Sequence, residues 1–390
     1  MKVMSSQNIS ARQRWLRLHR WVGLFLLLLS LPIGLTGSLN VYHREIDAWL
    51  NPTFYRARAS GRSLPLNQIL ARVRALDPSP VVSMILPEKS QTMRVARDNP
   101  DYGSVIMVHQ RRNNQVWRIS LDPVSGEILG QREQSAALMP TIYRLHESLL
   151  LKPYWGEEFV GLVGLLLGFS CLSGLWLWWP KPGKLWRAMS FRWGQPIYRG
   201  TWEFHNALGF WTSLVLLVVS VSGVALVFPN ATGKALRASE FRAQSVEPGG
   251  PRVPDDDPDG ILAAALAHRP HDVPLVLGLP NANLNTWRVA MRPGDHHTAV
   301  GGLTQVWINP WTYQVAQEKS NSTWTASDRL VAWKFPIHNG SLWGDAGRFL
   351  VFLSGFAFPA LAWSGAYLWW RKRQLQNRAL RARRGLLPPG

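Results

Sequence analysis

The sequence predicts a membrane α-helical fold: a four-helix transmembrane bundle with a two-fold internal repeat, carrying two small α+β domains outside the membrane. Three observations predict it. Four uncharged apolar stretches each reach about the 20 residues that a helix needs to cross a bilayer. Positive charge collects beside these stretches on one side, and the flanking motifs recur at nearly constant spacing. The predicted spans are 21–43, 159–180, 204–233 and 349–370.

The net charge of +19 lies almost entirely in three acid-free segments, which hold 17 of the 19 charges: 1–20, 181–200 and 371–390. Basic segments next to membrane spans stay in the cytoplasm, so both termini are expected there. The long segments 44–158 and 234–348 are then outside. The basicity is therefore a topology signal. The charge pattern predicts that the chain interacts with the lipid bilayer and does not bind nucleic acid.

The N-terminal segment resembles a signal peptide, but no A-x-A-like cleavage site follows its apolar run, so we expect an uncleaved anchor. The only cysteine, Cys171, falls inside the second predicted span. The chain can form no intrachain disulfide, and the outer domains must be stable without one.

An internal repeat relates the two halves of the chain. His19 and His205 stand at an offset of 186, each four residues before a glycine, and each is followed after eighteen residues by the glycine of a hydroxyl–glycine pair. His146 and His338 recur at an offset of 192. The hydroxyl–glycine pairs of the four spans are Thr36-Gly37, Ser173-Gly174, Ser222-Gly223 and Ser364-Gly365. Such a regular pattern predicts a duplication.

These four histidines are the candidate cofactor ligands. Ionisable residues at membrane depth are costly and usually functional, and two imidazoles from symmetry-related helices can hold one haem iron from opposite faces. Zinc fits less well, because it prefers four-ligand clusters. The sequence thus predicts two bis-His haem groups, an inner one on His19 and His205 and an outer one on His146 and His338. They would be b-type, since no C-x-x-C-H motif exists. Glycines after each histidine would give the flat ring room: Gly23, Gly209, Gly156 and Gly344.

The other histidines have no repeat partners. His43 ends the first predicted span and is interpreted either as a boundary residue or as a supporting residue near the outer haem. His109, His268 and His271 are expected at the surface, and the pair His296-His297 in an exposed turn.

The two outer segments each combine an amphipathic stretch with alternating strand patterns and turns such as Asp122-Pro123 and Asn309-Pro310. This predicts a short helix on a small antiparallel sheet in each segment. Four tryptophans there are expected to be exposed and able to pack on a ligand's organic face, with sheet packing as the alternative: Trp117, Trp287, Trp307 and Trp311.

The chain resembles the PepSY-associated transmembrane family over nearly its whole length. The resemblance rests on Leu-His-Arg-Trp-Val-Gly-Leu (18–24), Leu-His-Glu-Ser-Leu (145–149), Ser-Gly-Leu-Trp-Leu-Trp-Trp-Pro (173–180), Phe-His-Asn-Ala-Leu-Gly (204–209) and Ile-His-Asn-Gly (337–340). Leu-Asp-Pro-Val-Ser-Gly-Glu (121–127) resembles the PepSY-domain signature, and the second copy has Tyr313 in place of the turn glycine. The resemblance implies a bacterial inner-membrane protein of iron uptake, similar to di-haem ferric-siderophore reductases, with the four histidines at the haem-ligand positions.

The implied organisation follows the chain as a cytoplasmic N-terminus 1–20, span 21–43, PepSY-like periplasmic domain 44–158, span 159–180, cytoplasmic loop 181–203, span 204–233, second PepSY-like domain 234–348, span 349–370 and basic cytoplasmic tail 371–390. The expected function is transmembrane electron transfer that reduces a ferric siderophore outside. No dinucleotide-binding glycine motif, Walker loop or H-E-x-x-H occurs. The donor is therefore expected to be a membrane quinol or a separate cytosolic reductase. The alternatives are a transporter for siderophore or haem, and a non-catalytic PepSY binding module.

Overall fold

The structure is a computed structural model that describes residues 10–87, 104–251, 254–294, 302–320 and 324–383. In chain order the elements are α1 (Ala11–Val41), α2 (His43–Leu50), α3 (Pro52–Tyr55), α4 (Leu66–Leu76), β1 (Val81–Ile85), β2 (Ile106–Arg112), β3 (Gln115–Leu121), β4 (Ile128–Glu133), α5 (Leu138–Ser148), α6 (Gly156–Trp178), α7 (Leu185–Met189), α8 (Ile197–Val227), α9 (Pro229–Leu236), α10 (Pro258–His268), β5 (Val273–Gly278), β6 (Trp287–Arg292), β7 (Thr304–Ile308), β8 (Val315–Lys319), α11 (Ala326–His338) and α12 (Gly344–Arg383). Short 3-10 turns at Lys152–Tyr154 and Ser341–Trp343 precede α6 and α12.

The chain divides into two compact units. A helical unit is drawn from 1–41, 142–231 and 334–390, and a sheet unit from 42–141 and 232–333. Within the described residues, four helices are long and apolar enough to cross a membrane: α1, α6, α8 and α12.

The long helices extend beyond the apolar spans that the sequence predicts. Helix α1 begins at Ala11, in a basic segment rich in good helix formers, and α8 begins at Ile197, directly after Pro196. His19 therefore lies inside a helix rather than before it, and His205, which the predicted span already contained, lies well inside α8. Helix α8 ends at Val227, since Pro229 disfavours a helical conformation at Phe228.

The four long helices pack side by side: α1 and α8 each contact both α6 and α12. Small residues bring α1 and α12 close together, and a Cβ added at Gly34 would lie 2.4 Å from the carbonyl oxygen of Gly355. At the same crossing, the Ser38 hydroxyl donates to the carbonyl of Phe352 at 2.6 Å. Small-residue contacts of this kind are typical of helices that associate in membranes.

The sheet unit contains one antiparallel sheet of eight strands in the order β4-β3-β2-β1-β5-β6-β7-β8. The sequence predicts a separate small sheet in each outer segment. The structure instead joins the two four-stranded sets through β1 and β5, where Met84 stands opposite Leu277. This pairing removes two edge strands that would otherwise carry unpaired N–H and C=O groups. One apolar core continues across the joint, formed among others by Val108, Val306 and Ile261.

Each half of the sheet packs one helix on the core face. The side chain of Asp259, in the first turn of α10, accepts hydrogen bonds from the backbone N–H groups of Leu66 and Asn67 at 2.8 Å. It thereby satisfies two of the four N–H groups that the start of α4 leaves without helical partners. Helices α4 and α10 therefore support each other.

The turns at the ends of β3 and β7 have matching backbones despite different sequences. Gly126 adopts a φ of 68° and Tyr313 one of 58°, both left-handed. Tyr313 tolerates this conformation while its hydroxyl donates to the Asp257 carboxylate at 2.6 Å. That hydrogen bond, with burial and the charge of Asp257, raises the pKa of Tyr313 to about 12. The loss of the turn glycine in the second copy therefore changes the side-chain contacts and not the turn.

Two surface expectations are wrong. Trp287 and Trp307 are buried in the sheet unit, with 1% and 4% of their surface exposed, so they pack the sheet. His109 is half-buried on β2 and its Nδ1 lies 3.0 Å from the Ser83 hydroxyl. His268 is exposed at the end of α10, as expected. His296-His297 lies outside the described residues.

Candidate cofactor site in the helical unit

Two histidines from opposite halves of the chain come together in the helical unit. His146 lies in the last turn of α5 and His338 ends α11. Their ring centroids are 6.1 Å apart, with an angle of 48° between the ring planes. The structure therefore brings the predicted outer pair into direct proximity.

Hydrogen bonds fix the orientation of both outer rings. His146 donates from Nδ1 to the carbonyl of Ile33 in α1, and His338 donates from Nδ1 to the carbonyl of Val219 in α8, each at 3.0 Å. A carbonyl oxygen only accepts, so each Nδ1 carries the proton and each Nε2 keeps a lone pair. This tautomer is the one in which Nε2 can bind a metal.

Burial also favours the neutral form of the outer rings. It lowers the pKa of His146, and burial together with the neighbouring His146 ring lowers the pKa of His338 to about 4. At neutral pH both imidazoles are uncharged, which is the state that ligates metals.

Each outer ring lies on a glycine of the neighbouring long helix. A Cβ added at Gly37 would be 2.9 Å from Cε1 of His146, and one at Gly223 would be 2.9 Å from Cε1 of His338. The hydroxyl before each glycine is also close to the Nδ1 atom, at 3.5 Å for Thr36 and 3.3 Å for Ser222. The hydroxyl–glycine pairs of the repeat therefore form the surface on which the outer histidines rest.

The inner histidines repeat this arrangement on the other two hydroxyl–glycine pairs. His19 Nδ1 lies 3.0 Å from the Ser173 hydroxyl, and His205 Nδ1 lies 2.9 Å from the Ser364 hydroxyl. Both serines donate their own proton to a backbone carbonyl, of Ser170 and of Leu361. Their oxygens are thus left to accept from the histidine Nδ1–H, and Nε2 again keeps its lone pair.

The inner rings also rest on glycine. A Cβ added at Gly174 would lie 3.2 Å from His19 Cε1, and one at Gly365 would lie 3.3 Å from His205 Cε1. His19 and His205 occupy equivalent places in the two halves of the helical unit. About 27 Å of helix separates His19 from Gly37, and the same length separates His205 from Gly223. The unit therefore holds two histidine pairs at two levels.

The residues of the outer pair fit a haem. Two imidazole nitrogens on opposite sides of one metal, each at about 2 Å, would separate the ring centroids by roughly 6 Å, close to the 6.1 Å between His146 and His338. Two aromatic rings in plain contact lie at similar distances, about 4.5–7 Å, so the distance alone does not identify a metal site. The matching Nδ1 contacts of all four histidines supply the second indication, because they are the contacts that orient metal-ligating imidazoles.

A porphyrin needs only axial ligands from the protein. Among the residues that the structure describes, no group of three or more His, Cys, Asp or Glu side chains is gathered as a metal site. The helical unit provides pairs of imidazoles, which are the kind of axial ligands that a porphyrin needs.

The repeat in the sequence points to the four histidines, but the glycines expected to leave room for a flat ring are not the ones that lie under the histidine rings. Of the glycines expected to give ring space, Gly23 and Gly344 face open space, while Gly156 is packed against the Ser148 carbonyl. The glycines under the rings are those of the hydroxyl–glycine pairs. Their fixed spacing in the repeat was the available signal, but spacing does not reveal which helices are neighbours.

His43 begins α2 in the sheet unit and is exposed. The four candidate ligands belong to the helical unit. A supporting role for His43 near the outer pair stays a prediction.

The four apolar helices and the four histidines that contact them define a membrane protein with a candidate cofactor site. The chain belongs to the family described as the PepSY-associated TM region, whose model matches residues 16–372. This match includes all four histidines and both sets of strands. Comparison with curated proteins finds no match.

Proposed function

We propose that this protein is a di-haem electron-transfer protein of the bacterial inner membrane that reduces ferric siderophores in the periplasm and releases ferrous iron. The observation that carries the proposal is the outer pair, in which His146 and His338 stand 6.1 Å apart with both Nδ1 atoms hydrogen-bonded to backbone carbonyls. On this proposal the fold is a four-helix bundle with a two-fold repeat, and each haem is held by one histidine from each half.

The chain's own residues would orient the ligands and exclude water. Bound haem would supply a one-electron couple inside the membrane. The Nδ1 contacts hold each imidazole in the ligating tautomer, and the hydroxyl–glycine pairs set how closely each ring approaches its helix. Buried apolar residues of the long helices, Leu26, Val163 and Phe358 among them, keep the interior of the helical unit dry.

The charge distribution supports the direction of electron flow. Arg12, at the basic start of α1, donates to the carbonyl of Leu177 at the end of α6 at 2.8 Å, so these two helix ends lie together. The basic segments predict that this end is cytoplasmic. His19 lies toward it, while His146 and His338 contact the opposite ends of α1 and α8. Electrons would enter at the inner pair, from a membrane quinol or a separate cytosolic reductase.

The reaction balances without breaking a covalent bond in the chelate. Each ferric ion takes one electron and becomes ferrous, and a two-electron quinol would serve two chelates while losing two protons. Hard oxygen ligands hold the larger, less charged ferrous ion less well. Reduction alone is therefore a sufficient release step.

The test is anaerobic mixing of dithionite-reduced protein with a ferric siderophore and a ferrous trap. We expect reoxidation of the Soret band to coincide with ferrous capture. His338→Ala should abolish capture, whereas His268→Ala, which removes an exposed histidine, should not. A permease or a binding module without haem would show neither signal. If the protein stays reduced with every chelate but is oxidised by another acceptor, electron transfer stands and the iron assignment fails.

A further inference from the structure

A row of polar side chains crosses the first half of the sheet. Ser83, His109, Arg118 and Arg132 stand directly opposite one another on β1, β2, β3 and β4. Their sequence neighbours, such as Val108 and Ile119, belong to the apolar core under α4. Successive residues of a strand point to opposite faces, so the row lies on the face away from α4.

Three buried side-chain nitrogens of this row have no hydrogen-bond partner among the described residues: His109 Nε2, Arg118 Nε and Arg132 Nε. A buried polar group without a partner destabilises the fold. Three such groups on adjacent strands indicate that an acceptor-rich ligand or ordered water completes the site.

The row also places two guanidiniums, of Arg118 and Arg132, beside the single carboxylate of Asp47. Asp47 is engaged by Arg132, whose Nη1 donates to Oδ1 at 3.0 Å and whose Nη2 also contacts the carboxylate. Arg118 stands beside Arg132 and makes no ion pair with a described carboxylate. Arg44, exposed on α2, adds a further charge that acts on Arg118. Like charges opposite each other on neighbouring strands destabilise a sheet, so an anion would stabilise this one.

The second half of the sheet has one arginine in the corresponding row instead of two adjacent ones, and one buried nitrogen without a described partner, Trp307 Nε1. The corresponding row is Gly278, Arg288, Trp307 and Gln317. Trp307 packs against Phe241 at 4.9 Å between ring centroids, in the position that Arg118 holds in the first half. The cationic row is therefore particular to one half and is not required by the fold.

We propose that His109, Arg118 and Arg44 form a binding site for a small carboxylate-bearing anion. A guanidinium fork matches the two oxygens of a carboxylate, and the site presents two guanidiniums, those of Arg118 and Arg44, that make no ion pair with a described carboxylate. The further claim that this site binds the ferric chelate before its reduction rests on the proposed function. The claim that the site binds an anion rests only on the geometry described above.

The test is calorimetric titration of the full-length oxidised protein in detergent with citrate, and then with ferric citrate. Wild type should bind both, and Arg118→Gln should weaken binding by about tenfold or more. Arg118→Lys keeps the charge without the fork and should fall between them. Arg242→Gln is the control: it makes the same charge change in the sheet unit at a side chain that is 88% exposed, and should bind as wild type does. Arg44→Gln, on the exposed side of the site, should weaken binding without risk to the core.

The site is overturned if wild type does not bind citrate, since water alone then satisfies the donors. It is also overturned if Arg118→Gln and Arg242→Gln bind citrate equally well, or if inorganic phosphate competes as strongly as citrate. No electron donor is present, so the titration is independent of reduction. Citrate binding in a protein that contains no haem would refute the proposed function and leave the anion site standing.

Discussion

The inner and outer histidine pairs share one local arrangement but use different hydrogen-bond acceptors. All four rings rest on the glycine of a hydroxyl–glycine pair. The outer rings donate to backbone carbonyls of Ile33 and Val219, whereas the inner rings donate to side-chain hydroxyls of Ser173 and Ser364. The outer rings also lie closer to their glycines.

The different acceptors determine which substitutions can disturb the ring orientation in each pair. A backbone acceptor cannot be removed by substitution, so the outer pair is sensitive to the space that glycine leaves. A hydroxyl acceptor can be removed, so the inner pair is sensitive to its two serines. If both pairs hold haem, the two sites can be altered separately.

The largest effect is expected from removing a ligand. His205→Ala should delete the inner haem and leave the outer one, while His146→Ala should do the reverse, lowering the haem content from two per chain to one. Pyridine-haemochrome analysis of the purified variants measures this. His268→Ala, an exposed control, should retain both. Loss of both haems in every single variant would contradict two separable sites.

The next effect distinguishes the pairs by space. Gly37→Ala and Gly223→Ala would each place a methyl group 2.9 Å from a ring carbon, so the outer imidazole must move. We expect loss of most of the outer haem signal in the reduced-minus-oxidised spectrum. Gly174→Ala and Gly365→Ala, at 3.2 and 3.3 Å, should affect the inner signal less.

Gly23→Ala is the matched control on α1, because a Cβ there meets nothing within 4 Å. Alanine also favours a helix over glycine by about 1 kcal/mol, so any loss at Gly37 reports the contact with His146. If Gly23→Ala and Gly37→Ala give equal spectra, contact between residue 37 and His146 does not control the outer haem.

The smallest effect distinguishes the pairs by acceptor. Ser173→Ala and Ser364→Ala should weaken inner haem binding by about 10- to 100-fold, the usual cost of losing such a partner. The inner midpoint potential should rise, because an imidazole without an acceptor on Nδ1 is a poorer donor to ferric iron. Thr36→Val and Ser222→Ala should change the outer haem little, since the carbonyl bonds remain. Redox titration of both haems checks this, and equal shifts at both sites would contradict the comparison.

The sequence was sufficient for the four apolar helices and the family, because span length, charge and repeat spacing are local signals. The repeat also singled out the four histidines, whose role as ligands stays a prediction. The bounds of the helices were less accurate, since the change from apolar to basic residues ends a predicted span without ending the helix, as at residues 11–20 of α1. The contact between Ser173 and His19 could not be predicted from the sequence, because it depends on α1 lying beside α6.

The sheet shows the same limit in another form. Each four-stranded set follows from its alternating pattern, but the pairing of β1 with β5 is a contact between residues nearly 200 positions apart. Likewise, no pattern marks Trp287 and Trp307 as buried, because alternation identifies two faces without saying which one is covered. Both faces of β6 and β7 carry buried residues.

Haem stoichiometry of the purified wild-type protein decides whether the chain holds one haem at each histidine pair. We expect two non-covalently bound b-type haems per chain, each giving a low-spin bis-imidazole spectrum. A value of zero in protein purified from haem-replete cells, or one that stays at two after both His146 and His338 are replaced by alanine, would contradict it.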